Sequence, residues 1–101
     1  MEIHYSDRDR VGDGRARAYA QYRVFEAFRC VANEIRTVDV SMGRDRRAGQ
    51  PHRVTCTVLA ELRDGEQITA TAMGDWPYAA IQQAATRARQ QLDGRIRSCA
   101  K

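Results

Sequence analysis

Arginine is the residue type with the clearest chemical potential in this chain. Every basic residue except Lys101 is an arginine, and the formal net charge is +4. Arginines outnumber acids in two segments, residues 43–53 and residues 75–101. A guanidinium group stays ionised at neutral pH and presents a planar fork of donors that fits phosphate oxygens. These segments therefore predict a partner that carries phosphate groups. The alternative is that their arginines only keep the surface soluble.

The residues that carry catalysis or bind metals in other proteins form no such pattern here. Cys30, Cys56 and Cys99 are odd in number, widely spaced and without a CxxC pair, which predicts free thiols in a reducing compartment. His4 and His52 have no ligand at metal-binding spacing. No phosphate loop, nucleophile elbow or paired-carboxylate motif is present. We therefore predict a protein that is not an enzyme and uses no metal, cofactor or small-molecule substrate.

The length of the chain limits its organisation. With 101 residues it can bury one hydrophobic core, which predicts a single domain over residues 1–101. No stretch approaches the roughly 18 apolar residues of a membrane span, and the N-terminus lacks the apolar core of a secretory signal. We expect a cytoplasmic protein that is monomeric when free and does not bind membranes.

Hydrophobic periodicity predicts the elements that must position the arginines. Alternating apolar residues predict four strands and helical spacing predicts two helices, in the order β-α-β-β-β-α. Asp64-Gly65 predicts a hairpin between the third and fourth strands. The order predicts a two-layer α+β domain, whose four-stranded sheet carries both helices on one face and exposes a threonine-rich face. The predicted core includes Val24, Phe28, Val54, Val58, Ile81 and Leu92.

Local signals predict where the helices begin and end. Asp13 fits the N-cap of the first helix, and Asp75 and Pro77 fit the start of the second. Gly94 is expected to end that second helix. Trp76, beside Pro77, is expected to pack on the core as a hydrophobic staple.

Several motifs in the second half are similar to those of one known family. "HRVTCTV" at residues 52–58 is similar to its H-x-V-x-V third strand, and "ITATAMGD" at residues 68–75 to its fourth strand. Residues 78–81, Tyr-Ala-Ala-Ile, resemble the start of its last helix. With these motifs the chain resembles the short forms of the ribosome hibernation-promoting factors, also called ribosome-associated inhibitor A or protein Y. It departs from their pattern at Trp76-Pro77, Gln82 and Ala88.

The resemblance implies a partner and a set of contact residues. Members of this family occupy the decoding region of the small ribosomal subunit, overlap the mRNA and tRNA positions, and keep idle ribosomes silent. They use basic side chains of both helices and nearby loops against ribosomal RNA, and the short forms lack a dimerising domain. Arg87 matches the family pattern most closely. Arg23 and Arg29 match it more loosely. With the arginines and the tyrosine that charge and helical position indicate, the predicted RNA-binding residues are Arg87, Arg89, Arg23, Arg29, Arg44, Arg46, Arg47 and Tyr19.

Two other functions remain open from the sequence. A double-stranded-RNA-binding module has an α-β-β-β-α order that is contained in this one, but it needs a basic cluster where this chain has residues 76–80, which carry no charge. A protein-interaction module would use the threonine-rich sheet face or an edge strand without RNA. On the first helix, Tyr19 and Tyr22 either stack on unpaired bases or, as we favour for Tyr22, join Phe25 at the core edge.

Overall fold

The computed structural model describes residues 1–44 and 53–99. Its elements are β1 (Glu2–Asp7), α1 (Gly14–Phe28), a 3-10 helix (Arg29–Glu34), β2 (Ile35–Arg44), β3 (Val54–Leu62), β4 (Gln67–Gly74) and α2 (Pro77–Cys99). This order confirms the predicted β-α-β-β-β-α arrangement, with the 3-10 helix added after α1. None of the helices in these two stretches is both long enough and apolar enough to cross a membrane.

The four strands form one sheet in the order β1-β2-β3-β4. β1 is parallel to β2, which is possible because α1 supplies the crossover between them, and the other two pairs are antiparallel. Val40 pairs with Val58, which pairs with Ala70, so the buried positions of neighbouring strands lie side by side. These residues share one core with the apolar sides of both helices. The predicted α+β fold, with both helices on one face, is confirmed.

Small residues bring α2 close to the sheet. The core side of α2 is largely alanine, as is the core side of β4. Where β4 leads into α2, a Cβ atom on Gly74 would stand 3.0 Å from the backbone nitrogen of Ala80, so glycine permits this close approach. Every residue of the predicted core is buried; these are Val24, Phe28, Val54, Val58, Ile81 and Leu92.

Carboxylates fix the connection between β1 and α1. Asp7 accepts hydrogen bonds from the backbone N–H groups of Val11, at 2.9 Å, and Gly12, at 2.8 Å. Asp13 then accepts one from the N–H of Ala16 at 3.0 Å, which satisfies a donor that the first turn of a helix leaves unpaired. The predicted N-cap is confirmed, whereas no sequence pattern indicates the Asp7 bonds.

The predicted hairpin at Asp64-Gly65 is also confirmed. Gly65 has a φ of 93°, a left-handed conformation that glycine adopts without steric cost. The Asp64 carboxylate accepts a hydrogen bond from the N–H of Glu66 at 2.9 Å. The Gly65 N–H donates to the carbonyl of Leu62 at 3.0 Å, which closes the turn.

The prediction that Gly94 ends the last helix is wrong. α2 continues through Gly94 to Cys99. Glycine costs a helix interior about 1 kcal/mol relative to alanine. Arg95, the next residue, forms an ion pair with Glu66 at the β3–β4 hairpin. This long-range contact favours the continued helix, and no local sequence signal announces it.

Two predictions about aromatic packing are wrong. Trp76 does not staple the helix to the core, because it is 59% exposed and its ring contacts Tyr78 instead. Tyr22 and Phe25 do not close the core edge, since they are 57% and 52% exposed. The core face of α1 is filled by small residues and Phe28, which leaves these rings outside.

The two helices run side by side in the same direction. Near their beginnings, Tyr19 of α1 contacts Tyr78 of α2 through rings whose centroids are 5.0 Å apart. Farther along, Arg89 of α2 donates from Nη1 to the backbone carbonyl of Ala27 in α1. The Nε of Arg89 donates to Asp93 at 2.7 Å, which orients the guanidinium group. Arg89 therefore fastens α2 to the last turn of α1.

The core packing predicts that substitutions on the two sides of α2 differ greatly in their effect on stability. Ile81→Ala or Leu92→Ala should lower the free energy of unfolding by about 2–5 kcal/mol, because each removes a fully buried side chain. Gln83→Ala, on the exposed side of the same helix, should change it by about 0.5 kcal/mol or less. Urea denaturation measures all three. Equal losses at buried and exposed positions would contradict the helix orientation.

We predict that the bond from Arg89 to Ala27 stabilises the fold more than the ion pair of Arg89 with Asp93 does. Arg89→Gln should cost about 1–3 kcal/mol, because it removes a charged donor from the half-buried carbonyl of Ala27. Asp93→Asn removes only the i,i+4 ion pair, which is worth about 0.3–0.5 kcal/mol. Thermal unfolding of the two variants compares them. The same small loss in both would mean that the bond to Ala27 adds nothing.

Candidate nucleic-acid interface

The outer side of α2 is a polar surface centred on Arg87. Glutamines, Thr86 and Arg87 line a shallow depression of about 490 Å³ along this helix. Arg87 is exposed and donates from Nη1 to the backbone carbonyl of Thr71 at 2.7 Å. Because β4 is an edge strand, this bond fixes the guanidinium group at the margin of the sheet. Its remaining N–H groups have no partner among the described residues and can receive a phosphate.

The charge of this outer side is positive. The first turn of α2 contains no acid, and the next acid along the helix, Asp93, pairs with Arg89. The residues that line the depression are Ala79, Gln82, Gln83, Thr86, Arg87 and Gln90, none of them acidic. Glutamine amides can donate hydrogen bonds to phosphate oxygens without repelling them.

Arg89 lies apart from this surface. Its guanidinium group points toward α1 and bonds Ala27 and Asp93, with 30% of the side chain exposed. Helical spacing predicts Arg89 at the flank of the helix, where it was a candidate RNA ligand. Two of its donors serve the packing of the helices, and its role in RNA binding stays a prediction.

The arginines predicted on the first helix differ in exposure. Arg29 is exposed at the start of the 3-10 helix that follows α1. Arg23 is half-buried, and its Nε atom is buried without a hydrogen-bond partner among the described residues. Tyr19 is half-buried and contacts Tyr78 across the helix pair. The roles of these residues in RNA binding stay predictions.

Arg44 lies at the end of the sheet where β4 passes into α2. It pairs with Val54, which pairs with Gly74, and its backbone N–H donates to Asp9 at 2.9 Å. Arg46 and Arg47, as well as His52 of the matched motif, lie outside the described residues. Of the described residues on either side of this segment, Arg44 and Val54 lie in register with Gly74, close to the beginning of α2.

The open face of the sheet has a different character. Ser6, Ser41, Thr57 and Thr71 occupy one row across the four strands, and the hydroxyls of Thr57 and Thr71 are 3.2 Å apart. Acidic residues also lie on this face, where Glu61 pairs with Arg36 at 3.5 Å. A phosphate backbone would meet the Glu61 carboxylate on this face. A second depression of about 340 Å³, lined by Arg8 and several hydroxyls, also lies on it.

The ionisable groups of the core are held in their neutral forms. Burial raises the pKa of the Cys56 thiol to about 12. Burial and the neighbouring carboxylate of Asp7 raise the pKa of Tyr5 to about 12. Both groups are therefore protonated near pH 7 and are poor nucleophiles. Within residues 1–44 and 53–99, no group of three or more His, Cys, Asp or Glu side chains is arranged to hold a metal ion.

Sequence reasoning missed the cluster formed by Trp76, Tyr78 and Tyr19. The Trp76 and Tyr78 rings meet at 5.5 Å, and Tyr78 in turn contacts Tyr19. The signal was present in the Trp-Pro-Tyr sequence, because Pro77 begins the helix and sets two aromatic residues at its start. The contact with Tyr19 depends on how the helices pack and could not be derived from spacing.

Two solved structures share the fold of this chain. No protein-family model matches the sequence, and no curated protein is significantly similar to it. A ribosomal subunit interface protein from Coxiella burnetii superposes with a TM-score of 0.78 at 17% identity, over 100% of both chains. The N-terminal domain of protein Y from Thermus thermophilus gives a TM-score of 0.71 at 18% identity, over 90% of this chain and 94% of that one. At this identity the likeness establishes that the chain has the fold of these two proteins.

Proposed function

We propose that this protein is a cytoplasmic, ribosome-associated translation inhibitor that binds the decoding region of the small subunit and keeps idle ribosomes silent. Two independent lines support the proposal. The sequence motifs from residue 52 onward resemble the hibernation-promoting factors. The fold superposes over its full length on a ribosomal subunit interface protein.

The observation that carries the proposal is the outer side of α2. A helix exposed over this length would ordinarily mix acids and bases to remain soluble. Here Arg87, fixed at the sheet margin, stands among glutamines with no acid in the depression. Such a surface attracts a phosphate backbone and does not repel it at any point along the depression.

We place the ribosomal RNA across the helix side of the domain. In this arrangement Arg87 makes the central phosphate contact, and Arg23 and Arg29 extend the surface along α1. Arg44 adds positive charge where β4 leads into α2. We propose that Arg46 and Arg47, which follow it in sequence, contribute as well. The protein acts by occupying space and not by chemistry, since a domain held there by RNA contacts is sufficient to exclude mRNA and tRNA.

The structure favours this interface over that of a double-stranded-RNA-binding module. Such a module reaches the phosphates with basic residues at the start of its last helix. In this chain the start of α2 is Pro77-Tyr78-Ala79-Ala80, preceded by the exposed Trp76. That surface is aromatic and uncharged, and the arginine of the outer side, Arg87, lies more than two turns farther along.

Ribosome association is directly measurable. On a sucrose gradient of cell lysate at low salt, the protein should sediment with small subunits and whole ribosomes, and the purified protein should inhibit translation of a reporter mRNA in a reconstituted system. Recovery at the top of the gradient would contradict the proposal. Binding that survives high salt would indicate protein contacts in place of phosphate contacts.

Arg87 should contribute to the salt dependence of that binding. Arg87→Gln should weaken binding to purified small subunits and lower the slope of log affinity against log salt by about one unit for each phosphate that the arginine neutralises. Arg36→Gln is the matched control, because Arg36 is an exposed arginine whose side chain pairs with Glu61 on the open sheet face. An equal change of slope in both variants would mean that net charge, and not the α2 surface, determines binding.

A further inference from the structure

The aromatic residues of this protein are distributed in an unusual way. The chain has seven Phe, Tyr and Trp side chains, and all lie within the described residues. Only Phe28 is fully buried, whereas Trp76, Tyr22 and Phe25 are each more than half exposed. All three belong to the helix side of the domain. Among the three, Trp76 is the one whose ring contacts another aromatic side chain, that of Tyr78.

Trp76 contacts Tyr78, which in turn contacts Tyr19. Its ring meets that of Tyr78 at a centroid distance of 5.5 Å and an angle of 70°. Tyr78 meets Tyr19 of α1 at 5.0 Å and 73°. In such edge-to-face contacts one ring touches the other with its edge, so a broad indole surface remains available while its orientation is restrained. Pro77, at the first position of α2, limits the backbone between Trp76 and Tyr78 further.

Positive charge accompanies this aromatic cluster. On α1, Arg15 and Arg23 each lie one helical turn from Tyr19, on its two sides. The buried Nε of Arg23 has no partner among the described residues. The first turns of α1 and α2 carry no acid. The carboxylate nearest in sequence is that of Asp75, which precedes Trp76. A ligand with both a flat apolar face and negative charge matches these surroundings.

We propose that Trp76, braced by Tyr78 and Tyr19, stacks on an unpaired base of RNA. Stacking needs an exposed and pre-oriented ring, and arginines alongside can meet the phosphates of the same strand. The inference rests on the proposed function in taking RNA as the ligand, and it adds base stacking to the phosphate contacts of α2. A core-packing role does not explain Trp76, because 59% of the residue is exposed.

Intrinsic fluorescence tests the contact, because Trp76 is the single tryptophan of the chain. The protein is titrated at low salt with a short oligoadenylate and, separately, with an abasic oligonucleotide of the same length. Both carry the same phosphates, but only the first has bases. We expect the oligoadenylate to quench or shift the indole emission and the abasic strand to leave it unchanged. An identical response to both strands, or no response to either, would overturn the proposal.

Substitutions at Trp76 separate the contribution of base stacking to oligonucleotide binding from that of charge. With a labelled oligoadenylate, fluorescence anisotropy should show that Trp76→Ala weakens binding roughly five- to 150-fold, the usual range for one stacked base. Trp76→Phe should retain most of the affinity, because it keeps an aromatic face. Thr69→Ala, on the exposed sheet face, should bind as the wild type does. Circular dichroism checks that each variant is folded. Wild-type affinity in Trp76→Ala would exclude a stacking role.

The ribosome assay distinguishes this inference from the function on which it rests. Co-sedimentation of the wild type without any base-dependent change of emission would leave the proposed function standing and remove the stacking contact. A base-dependent change of emission without co-sedimentation would support the stacking contact and contradict the proposed function. If Trp76→Ala loses ribosome binding while neither oligonucleotide changes the emission, the cluster contacts a ribosomal protein, and the base-stacking proposal is wrong.

Discussion

The close approach of α2 to the sheet is the constraint on which the rest of the structure depends. Alanines fill the core side of α2, Ala70 and Ala72 do so on β4, and Gly74 leaves the space in which the helix begins. Large rings do not fit such an interface, so most of the aromatic residues lie outside it. Each alanine buries little apolar area and so stabilises the fold only slightly. Contacts between the two helices therefore contribute a larger share of the stability. The Arg89 bond to Ala27 and the edge-to-face rings at the helix beginnings supply them.

The same packing divides the surface into two unlike sides. Helices covering one face of the sheet place the acid-free depression, Arg87 and the exposed rings together on the outside of the helix layer. The other face presents hydroxyls along with acidic residues such as Glu61. A polyanion therefore meets different chemistry on the two sides, and the helix side combines an arginine with exposed rings. The likeness to a ribosomal subunit interface protein concerns the fold alone. The physical argument for an RNA partner comes from the difference between the helix side and the open sheet face.

Periodicity was sufficient to predict the fold, because every strand and helix buries a single face with a regular repeat. The predictions that failed involve partners distant in the sequence. Gly94 carries a stop signal, yet Arg95 beyond it reaches Glu66, and the helix continues. Arg89 lies at the flank of α2 as expected, but spacing could not indicate its contact with Ala27 on the other helix. The position of Trp76 before the helix predicts a hydrophobic staple, but other side chains already fill the core and Trp76 remains exposed. Local patterns determine the period of an element, whereas long-range contacts determine where its ends and large side chains lie.

For the interface, the arrangement of the guanidinium groups matters more than their number. Arg95 pairs with Glu66, Arg63 with the carbonyl of Asn33, and Arg89 with Ala27 and Asp93, so each uses donors within the fold. A net charge of +4 counts all of them equally. Arg87 differs in its surroundings, because its bond to Thr71 holds it in the depression on α2, whose lining contains no acid. An anchored guanidinium group loses less conformational entropy on meeting a phosphate than a mobile one. The strongest candidate ligand is therefore an arginine that the fold itself holds at the rim of the sheet.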